Sequence, residues 1–222
     1  MLTLAIDTAT SAVAVAVLRD DETPVSAVEV DPRAHTERLA PLMARALAEA
    51  GAVPADVTDV VVGTGPGPFT GLRVGMVTAV SLGYALGVGV HGVCSLDVLA
   101  EQGLAVTDAP EVLVATDARR REVYWARYAR AADGTARALT PPAVGRAADL
   151  PEEVRALPTV GRGPLLYPEV LTPPVDDVLD VDPAVLARVG VRRLRAGAEM
   201  PVEPLYLRRP DALTTAERDA RR

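Results

Sequence analysis

The sequence predicts an α/β fold in two lobes. Short apolar runs open the chain at a spacing typical of an antiparallel meander: residues 2–6, 12–18 and 25–30. Helical periodicity then replaces the strand pattern, and polarity rises near residues 107–110 before strand-like runs return. We therefore expect a first lobe over residues 1–106, a smaller second lobe over 107–210 and a loose polar tail over 211–222.

Composition excludes several classes of site. All 23 positions occupied by Lys or Arg are arginine, so neither a P-loop lysine nor a Schiff-base lysine is present. The net charge of −7 argues against a whole surface that grips nucleic acid, and a partner would have to supply basic surface. The single cysteine, Cys94, excludes an internal disulfide and fits the cytoplasmic location that we expect.

Two helices are predicted in the first lobe. The first carries an apolar stripe at the spacing of one helix face: Leu39, Leu42, Met43, Ala46, Leu47 and Ala50. Gly51 is placed as its C-terminal cap. The second helix, residues 72–86, is apolar nearly all the way round, so we expect it to be covered on more than one side. Residues 74–90 carry no charge, but their length and glycines favour a buried helix and strand over a membrane span.

The first candidate site is the polar turn from Asp7 to Thr10, between the first two predicted strands. A carboxylate followed by hydroxyls at a hairpin is where some ATPases hold metal-bound phosphate. Such turns usually contain glycine, which lets the backbone approach phosphate closely, and this turn has none. A hydrogen-bonded structural turn is therefore favoured, and the residues that we predict as a vestigial phosphate site are Asp7, Thr8, Thr10 and Asp117.

The second candidate is the glycine-rich loop of residues 63–71. Backbone N–H groups at a helix N-terminus attract anions. The spacing is not GxxxxGK[ST], however, and Pro66 and Pro68 each lack an N–H donor. A rigid turn that presents Phe69 and Arg73 to a partner or to the core is at least as well supported, and both interpretations stay open.

The third candidate is the charged turn from Asp117 to Glu122, which joins two predicted strands. The arginines at positions 119–121 could meet phosphate or the carboxylates of a partner. They could equally form local ion pairs on a solvated hairpin, and the sequence does not decide between these interpretations.

The sequence contains little that would indicate a metal site or a catalytic nucleophile. His35 and His91 are the only histidines and form no HxxxH or HExxH pair, so a metal centre is not expected. No nucleophile elbow or oriented base accompanies Cys94 and Ser95, which are better explained as a buried thiol and the cap of a helix over residues 95–102. We predict no catalytic, metal-binding or cofactor-binding residue.

A series of motifs resembles the TsaB (YeaZ) family. In family order they are Leu4-Ala5-Ile6-Asp7-Thr8, His35-x-Glu37-x-Leu39-x-Pro41, Gly65-Pro66-Gly67-Pro68-Phe69-Thr70-Gly71-Leu72-Arg73-Val74-Gly75, Ser95-Leu96-Asp97, Asp117-Ala118-Arg119, Glu122-Val123-Tyr124 and Pro204-Leu205-Tyr206-Leu207-Arg208. The GPGxFTGLR block is specific, whereas the other motifs are weak alone. Pro68 departs from the family, which usually has serine there, and this further weakens a phosphate role.

The resemblance implies an ASKHA (actin-like, RNase H-like) α/β fold, with two lobes of mixed sheets flanked by helices. It implies a non-catalytic structural and regulatory subunit of the bacterial complex that forms N6-threonylcarbamoyladenosine at position 37 of tRNAs reading ANN codons. The implied partners are the catalytic paralogue TsaD, the ATPase TsaE, a second copy of the chain when alone, and tRNA through the complex. No cofactor of its own is implied. Three points stay open: whether the isolated protein is a dimer or a monomer, whether a nucleotide binds at a subunit junction, and whether residues 119–121 contact tRNA.

In this family the partner face is built from the first two helices. The residues that we predict at the interface are His35, Leu39, Leu42, Met43, Leu47, Phe69, Thr70, Arg73, Val74, Val77 and Val80. The apolar pattern of both helices independently suggests more apolar surface than one small lobe hides.

Two other functions stay as alternatives. An actin-like-fold ATPase or kinase would use Asp7 and Asp117 on nucleotide phosphate, and binding of Mg-ATP by the isolated chain would support it. A metallopeptidase is disfavoured by the lack of a metal-ligand pair in the sequence.

Overall fold

The computed structural model describes residues 1–31 and 35–208. Its strands are β1 (Leu2–Asp7), β2 (Ala12–Arg19), β3 (Val25–Val30), β4 (Asp59–Gly63), β5 (Gly89–Val93), β6 (Glu111–Asp117), β7 (Val123–Arg130), β8 (Ala136–Ala138), β9 (Ala143–Gly145) and β10 (Thr159–Val160). Its helices are α1 (His35–Glu49), α2 (Phe69–Leu86), α3 (Ser95–Ala105), α4 (Glu152–Arg155), α5 (Gly163–Leu166) and α6 (Pro183–Arg195). The loose tail predicted over residues 211–222 lies outside the described residues.

The first five strands form one mixed sheet in the order β3-β2-β1-β4-β5. β1 pairs antiparallel with β2 and parallel with β4, and β2 pairs antiparallel with β3, so the predicted opening meander is confirmed. Side chains of the central strand alternate between two cores, with Leu4 and Ile6 on one face and Ala5 on the other. Both faces of the sheet are therefore buried.

Helices α1 and α2 cover one face of this sheet. α1 packs on β2 and β3, and α2 packs mainly on β4. The predicted stripe of α1 enters the core, where Leu39, Leu42 and Leu47 are buried. Gly51 follows the helix with a φ of 61°, the left-handed conformation that a C-terminal cap requires.

The start and the two sides of α2 differ from expectation. The helix begins at Phe69 rather than at Leu72. Its sheet-facing side is built mainly from small residues, and a Cβ on Gly75 would lie only 2.4 Å from Thr8 Oγ1, so the missing side chain permits close approach. The opposite side is exposed. Within one chain α2 is thus covered on one side, whereas we expected cover on more than one.

By length and composition alone, α2 is also the one helix among the described residues that could cross a membrane. Its contacts with β4, β1 and β5 are those of a helix packed within a folded lobe.

The remaining strands form a second mixed sheet in the order β10-β6-β7-β8, with β9 paired to β7. β6 pairs antiparallel with β7 and parallel with β10. The predicted α/β fold with two mixed sheets flanked by helices is confirmed.

Helices α3 and α6 form a layer between the two sheets. α3 packs on β6, β7, β8 and β10, whereas α6 returns from the far end of the chain to pack on the first sheet. One core cluster runs from sheet to sheet and includes Ala5, Val61, Leu99, Val114 and Leu186. The two sheets lie on either side of the predicted lobe boundary after residue 106, and that boundary stays a prediction.

Gly190 lets α6 approach the first sheet. A Cβ placed there would lie 2.5 Å from Cγ2 of Val61 and 3.1 Å from its Cβ. We expect Gly190→Val to lower the free energy of unfolding by about 2–3 kcal/mol, because overpacking pushes a buried helix off its sheet. Urea unfolding followed by circular dichroism measures this change.

The matched control is Gly145→Val on β9, where an added Cβ meets no atom within 4 Å. Its free energy of unfolding should stay within about 0.5 kcal/mol of the parent value. Equal losses in the two variants would contradict the close approach of α6.

Candidate functional site

A cleft between the two sheets brings together several predicted residues. Thr10, His35, Thr70 and Asp117 all line it, from the β1–β2 turn, the starts of α1 and α2, and the β6–β7 turn. Its cavity measures about 210 Å³. Pockets for small-molecule ligands usually enclose roughly 300–1,000 Å³, so this cavity suits a small polar group better than a nucleotide.

Asp7 does not line this cleft. It is fully buried at the end of β1, where Oδ1 accepts from the N–H of Ala9 at 2.8 Å and Oδ2 accepts from the Ser95 hydroxyl at 2.6 Å. Burial raises the pKa of Asp7 to about 6, although the hydrogen bonds from Ser95 and Ala9 lower it. Both carboxylate oxygens are engaged, so Asp7 holds a structural turn and the structure does not bring it into the cleft with Asp117.

Thr8 fixes the start of α2 to the same turn. Its hydroxyl donates to the carbonyl oxygen of Gly71 at 2.7 Å and accepts from the N–H of Gly75 at 2.9 Å. A Cβ on Gly67 would lie 2.3 Å from the carbonyl oxygen of Ala9. The glycines of the loop make room for the β1–β2 turn, so these contacts support the rigid-turn interpretation.

Ser95 is not the helix cap that we predicted. α3 begins at Ser95 with Cys94 as its N-cap residue, and no side chain caps the helix. The Ser95 hydroxyl instead donates to Asp7 and accepts from the N–H of Gly65 at 3.2 Å, joining the glycine loop to β1. Burial raises the pKa of the Cys94 thiol to about 12, so it is protonated at neutral pH, as an unreactive thiol is.

Local ion pairs hold the β6–β7 turn. Asp117 Oδ1 accepts from the N–H of Arg119 at 2.7 Å, and the Arg119 guanidinium lies 3.0 Å from Asp117 Oδ2. At the other end of the turn Glu122 pairs with Arg208. The turn therefore contains the ion pairs that one of the two open interpretations predicts.

The backbone of this turn is strained. Arg119, Arg120 and Arg121 have φ values of 61°, 53° and 65°, which place three successive arginines in the left-handed region. This region costs about 1–2 kcal/mol for each residue that has a side chain. Local stability alone would therefore favour glycine at these positions.

A further ion pair in the cleft was not predicted from the sequence. The Arg162 guanidinium Nε donates to the two carboxylate oxygens of Asp180 at 2.9 and 3.0 Å. Asp180 Oδ1 also accepts from the N–H of Ser11 at 3.2 Å, so it connects the β1–β2 turn to the loop before α6. No short-range pattern marks these contacts, because Arg162 and Asp180 lie 18 positions apart and Ser11 and Asp180 lie 169 apart.

The two histidines have structural neighbours. His35 Nε2 lies 3.2 Å from the carbonyl oxygen of Thr10, and His91 Nε2 lies 3.2 Å from Asp59 Oδ1. Over residues 1–31 and 35–208, no group of three or more His, Cys, Asp or Glu side chains is arranged to hold a metal ion.

The solvent side of α2 carries an exposed stripe that we call the α2 face: Phe69, Arg73, Val77, Val80 and Tyr84. These residues recur at the spacing of one helix face. The exposed fractions are 49% for Phe69, 63% for Val77, 49% for Val80 and 91% for Tyr84. Contiguous large apolar side chains in solvent are typical of a surface that binds another protein.

An aromatic cluster completes one end of the α2 face. The Arg73 guanidinium carbon lies 3.6 Å from the centre of the Phe69 ring, and Arg73 Nε donates to the Tyr206 hydroxyl at 2.8 Å. The ring centres of Phe69 and Tyr206 are 5.4 Å apart. The segment of residues 202–208 is thereby held against α2.

The predicted interface residues of α1 lie mainly in the core. His35, Leu39, Leu42 and Leu47 are buried, and Met43 is half-buried against the same cluster. The interpretation of the α1 stripe as surplus apolar surface is therefore wrong, because the chain's own sheet covers it. On α2, Thr70 is exposed and Val74 is half-buried beside the α2 face. Contact of any of these residues with a partner stays a prediction.

Comparison with known proteins identifies the family. A family model described as "TsaD: tRNA N6-adenosine threonylcarbamoyltransferase" matches residues 29–166. The tRNA threonylcarbamoyladenosine biosynthesis protein TsaB of Escherichia coli K12 is 34% identical over 225 residues, which cover 94% of this chain and 95% of that protein. The chain belongs to the TsaB (YeaZ) family.

Other proteins are similar to this TsaB-family chain over most of their length. An uncharacterized protein of Mycobacterium tuberculosis H37Rv is 46% identical over 212 residues, covering 94% of this chain and 92% of the relative. A solved structure of YeaZ from Pseudomonas aeruginosa superimposes with a TM-score of 0.80 at 30% identity, over 93% of this chain and 99% of that one. The predicted ASKHA fold of the TsaB family is thereby confirmed.

The buried carboxyl of Asp7 predicts a pH dependence of stability. Its folded pKa of about 6 lies above the ordinary value of 3.8, so its contribution to stability is fully present below pH 3.8 and is lost as the pH rises through 6. The free energy of unfolding should fall by about 2 kcal/mol from this group between pH 4 and pH 7.5. Asp7→Asn should lack this loss, and urea unfolding of both proteins at the two pH values measures it.

Asp133→Asn is the control, since the Asp133 carboxyl is exposed and hydrogen bonds from Thr135 lower its pKa. The free energy of unfolding of Asp133→Asn should therefore not increase relative to that of the parent as the pH rises. Parallel pH profiles of the parent and Asp7→Asn would show that Asp7 titrates normally.

Proposed function

We propose that this protein is a non-catalytic structural and regulatory subunit in the biosynthesis of N6-threonylcarbamoyladenosine in tRNA. Its relative in Escherichia coli is named as a biosynthesis protein of this nucleoside, and the family model that it matches is described as a threonylcarbamoyltransferase. In this proposal the protein works in the cytoplasm with a TsaD-type catalytic paralogue and a TsaE-type ATPase. The modified nucleoside is adenosine 37 of tRNAs that read ANN codons.

The state of the candidate acids supports an accessory role. The Asp7 carboxylate is buried and hydrogen-bonded through both oxygens, and Asp117 is paired with Arg119. These contacts favour a structural role for both carboxylates over metal binding or proton transfer. We therefore propose that the reacting groups belong to the catalytic paralogue, and that any nucleotide binds at a subunit junction.

The single observation that carries the proposal is the α2 face. Val77, Val80 and Tyr84 form an apolar stripe on a helix that is otherwise packed on its sheet, and Arg73 lies at one end between two aromatic rings. Large apolar and aromatic anchors beside an arginine are the composition of an interface centre. We propose that this face binds the catalytic paralogue, and a second copy of the chain when the protein is alone.

Val77→Glu should disrupt that interface. An unpaired carboxylate in the centre of a desolvated contact costs about 2–4 kcal/mol, so the dissociation constant for a TsaD-type transferase should rise about 100-fold. Isothermal titration calorimetry with the transferase from the same organism measures this effect. The melting temperature should stay unchanged, since Val77 is mostly exposed.

Val53→Glu provides the control, because Val53 is similarly exposed and lies outside α1 and α2. This variant should bind the transferase with the parent affinity. If Val77→Glu also binds normally, the α2 face is not the partner surface.

A Mg-ATP titration separates the proposal from the alternative of an actin-like ATPase. The cleft cavity is smaller than an ordinary ligand pocket, and Asp7 does not line it. We expect no saturable binding of Mg-ATP by the isolated chain up to millimolar concentration. Tight binding or turnover that Asp117→Asn abolishes would favour the enzyme.

A further inference from the structure

Arg73 carries the single formal charge of α2. The residue is exposed, and within residues 1–31 and 35–208 no carboxylate forms an ion pair with it. Other arginines of the chain differ in this respect, since Arg127, Arg162 and Arg193 each pair with an acidic side chain. The charge of Arg73, in the middle of an apolar surface, is therefore not explained by the contacts of the isolated chain.

Two aromatic side chains hold the Arg73 guanidinium in place. Its central carbon lies 3.6 Å from the centre of the Phe69 ring and 5.6 Å from that of Tyr206, and Nε donates to the Tyr206 hydroxyl at 2.8 Å. Among the described residues, the two terminal amino groups of the guanidinium have no hydrogen-bond partner. These two groups form an edge that can donate two parallel hydrogen bonds to a carboxylate.

Tyr206 is itself fixed, because the chain on both sides of it is bonded to the rest of the fold. The N–H of Leu205 donates to the carbonyl oxygen of Thr64 at 3.0 Å. On the other side, Arg208 forms an ion pair with Glu122. Contacts outside α2 therefore place the Tyr206 hydroxyl, as is required of a residue that positions another.

Arg73 and Val77 form a ridge between two apolar grooves. One groove lies between α2 and residues 202–206, the other lies between α1 and α2, and both ridge residues line both grooves. A partner whose apolar side chains enter the grooves would cover the ridge and remove water from the guanidinium. A charge buried without a counter-ion is strongly unfavourable, whereas a carboxylate placed against it compensates for the lost hydration. α2 contains no carboxylate, so the partner must supply it.

We propose that the partner presents a carboxylate side chain to Arg73 and that Tyr206 positions the guanidinium for it. The partner is the TsaD-type transferase, so this inference rests on the proposed function and adds the chemistry by which the α2 face recognises that protein. A surface with a basic or an apolar side chain opposite Arg73 is rejected. A phosphate also fits the edge of a guanidinium, but the apolar grooves on both sides favour a protein side chain.

Arg73→Met tests the charge, because it keeps a long unbranched side chain over the Phe69 ring. The dissociation constant for the transferase should rise about 30-fold. Its dependence on KCl between about 50 and 300 mM should become weaker than that of the parent. Arg73→Lys, which keeps the charge without the planar guanidinium, should recover only part of the affinity. Isothermal titration calorimetry of the two proteins, without RNA or nucleotide, measures these constants.

Tyr206→Phe tests the positioning role, because it removes the hydroxyl that accepts from Arg73 and keeps the ring. The dissociation constant should rise about fivefold in the parent background. In the Arg73→Met background the same change should have no effect, since the hydroxyl acts only through the guanidinium. Equal losses in the two backgrounds would give Tyr206 a contact of its own and overturn this role. Tyr167→Phe, at the end of α5, is the control and should bind with the parent affinity.

Charge reversal identifies the carboxylate. Arg73→Glu should abolish binding, and arginine in place of the matching Asp or Glu of the transferase should restore it when its exposed acids are replaced one at a time. Failure of every replacement, or a loss in Arg73→Met that appears only after tRNA or Mg-ATP is added, would overturn the proposal. A parent complex that Arg73→Met leaves at full affinity contradicts this inference alone. If the parent chain does not bind the transferase, the proposed function is wrong and this inference with it.

Discussion

The rest of the structure depends on the contact between the β1–β2 turn and the start of α2. Thr8 bonds to the backbone of Gly71 and Gly75, and Gly67 lies against the backbone of Ala9. Each of these contacts needs a missing side chain, because a Cβ on any of the three glycines would come within 2.7 Å of an atom of the turn. This close approach fixes the distance between α2 and the sheet. It thereby determines which side of the helix faces solvent.

That constraint explains why α2 is apolar on both sides. The side toward the sheet is mostly small: three glycines and an alanine are buried there beside Leu72 and Met76, and the small residues cover little apolar area. The larger valines and aromatic side chains are left on the α2 face, where one chain offers them no cover. A helix that looks like a core helix by composition thus has one exposed apolar side, and its glycine loop packs closely against the β1–β2 turn.

The two sheets are joined by elements from distant parts of the chain. α3 packs on the second sheet and α6 on the first, and both helices contribute to one core. Asp180 bonds to Ser11 across the cleft. Residues 206–208 then bind α2 and the β6–β7 turn at once. The α2 face and the β6–β7 turn are consequently neighbouring parts of one surface.

The sequence by itself determined the elements, the α/β class and the family. Periodicity located the meander and the α1 stripe, because these depend on local patterns of apolar residues. It could not show that the α1 stripe is covered by its own sheet, that Ser95 bonds to Asp7 rather than capping α3, or that Arg162 pairs with Asp180. Ser95 and Asp7 lie 88 positions apart and Arg162 and Asp180 lie 18 apart, and only the tertiary structure brings such partners into contact. The β1–β2 turn shows the division most clearly: its polar residues were visible in the sequence, and only the packing of distant segments decided that Asp7 bonds to Ser95 and Thr8 to the backbone of α2.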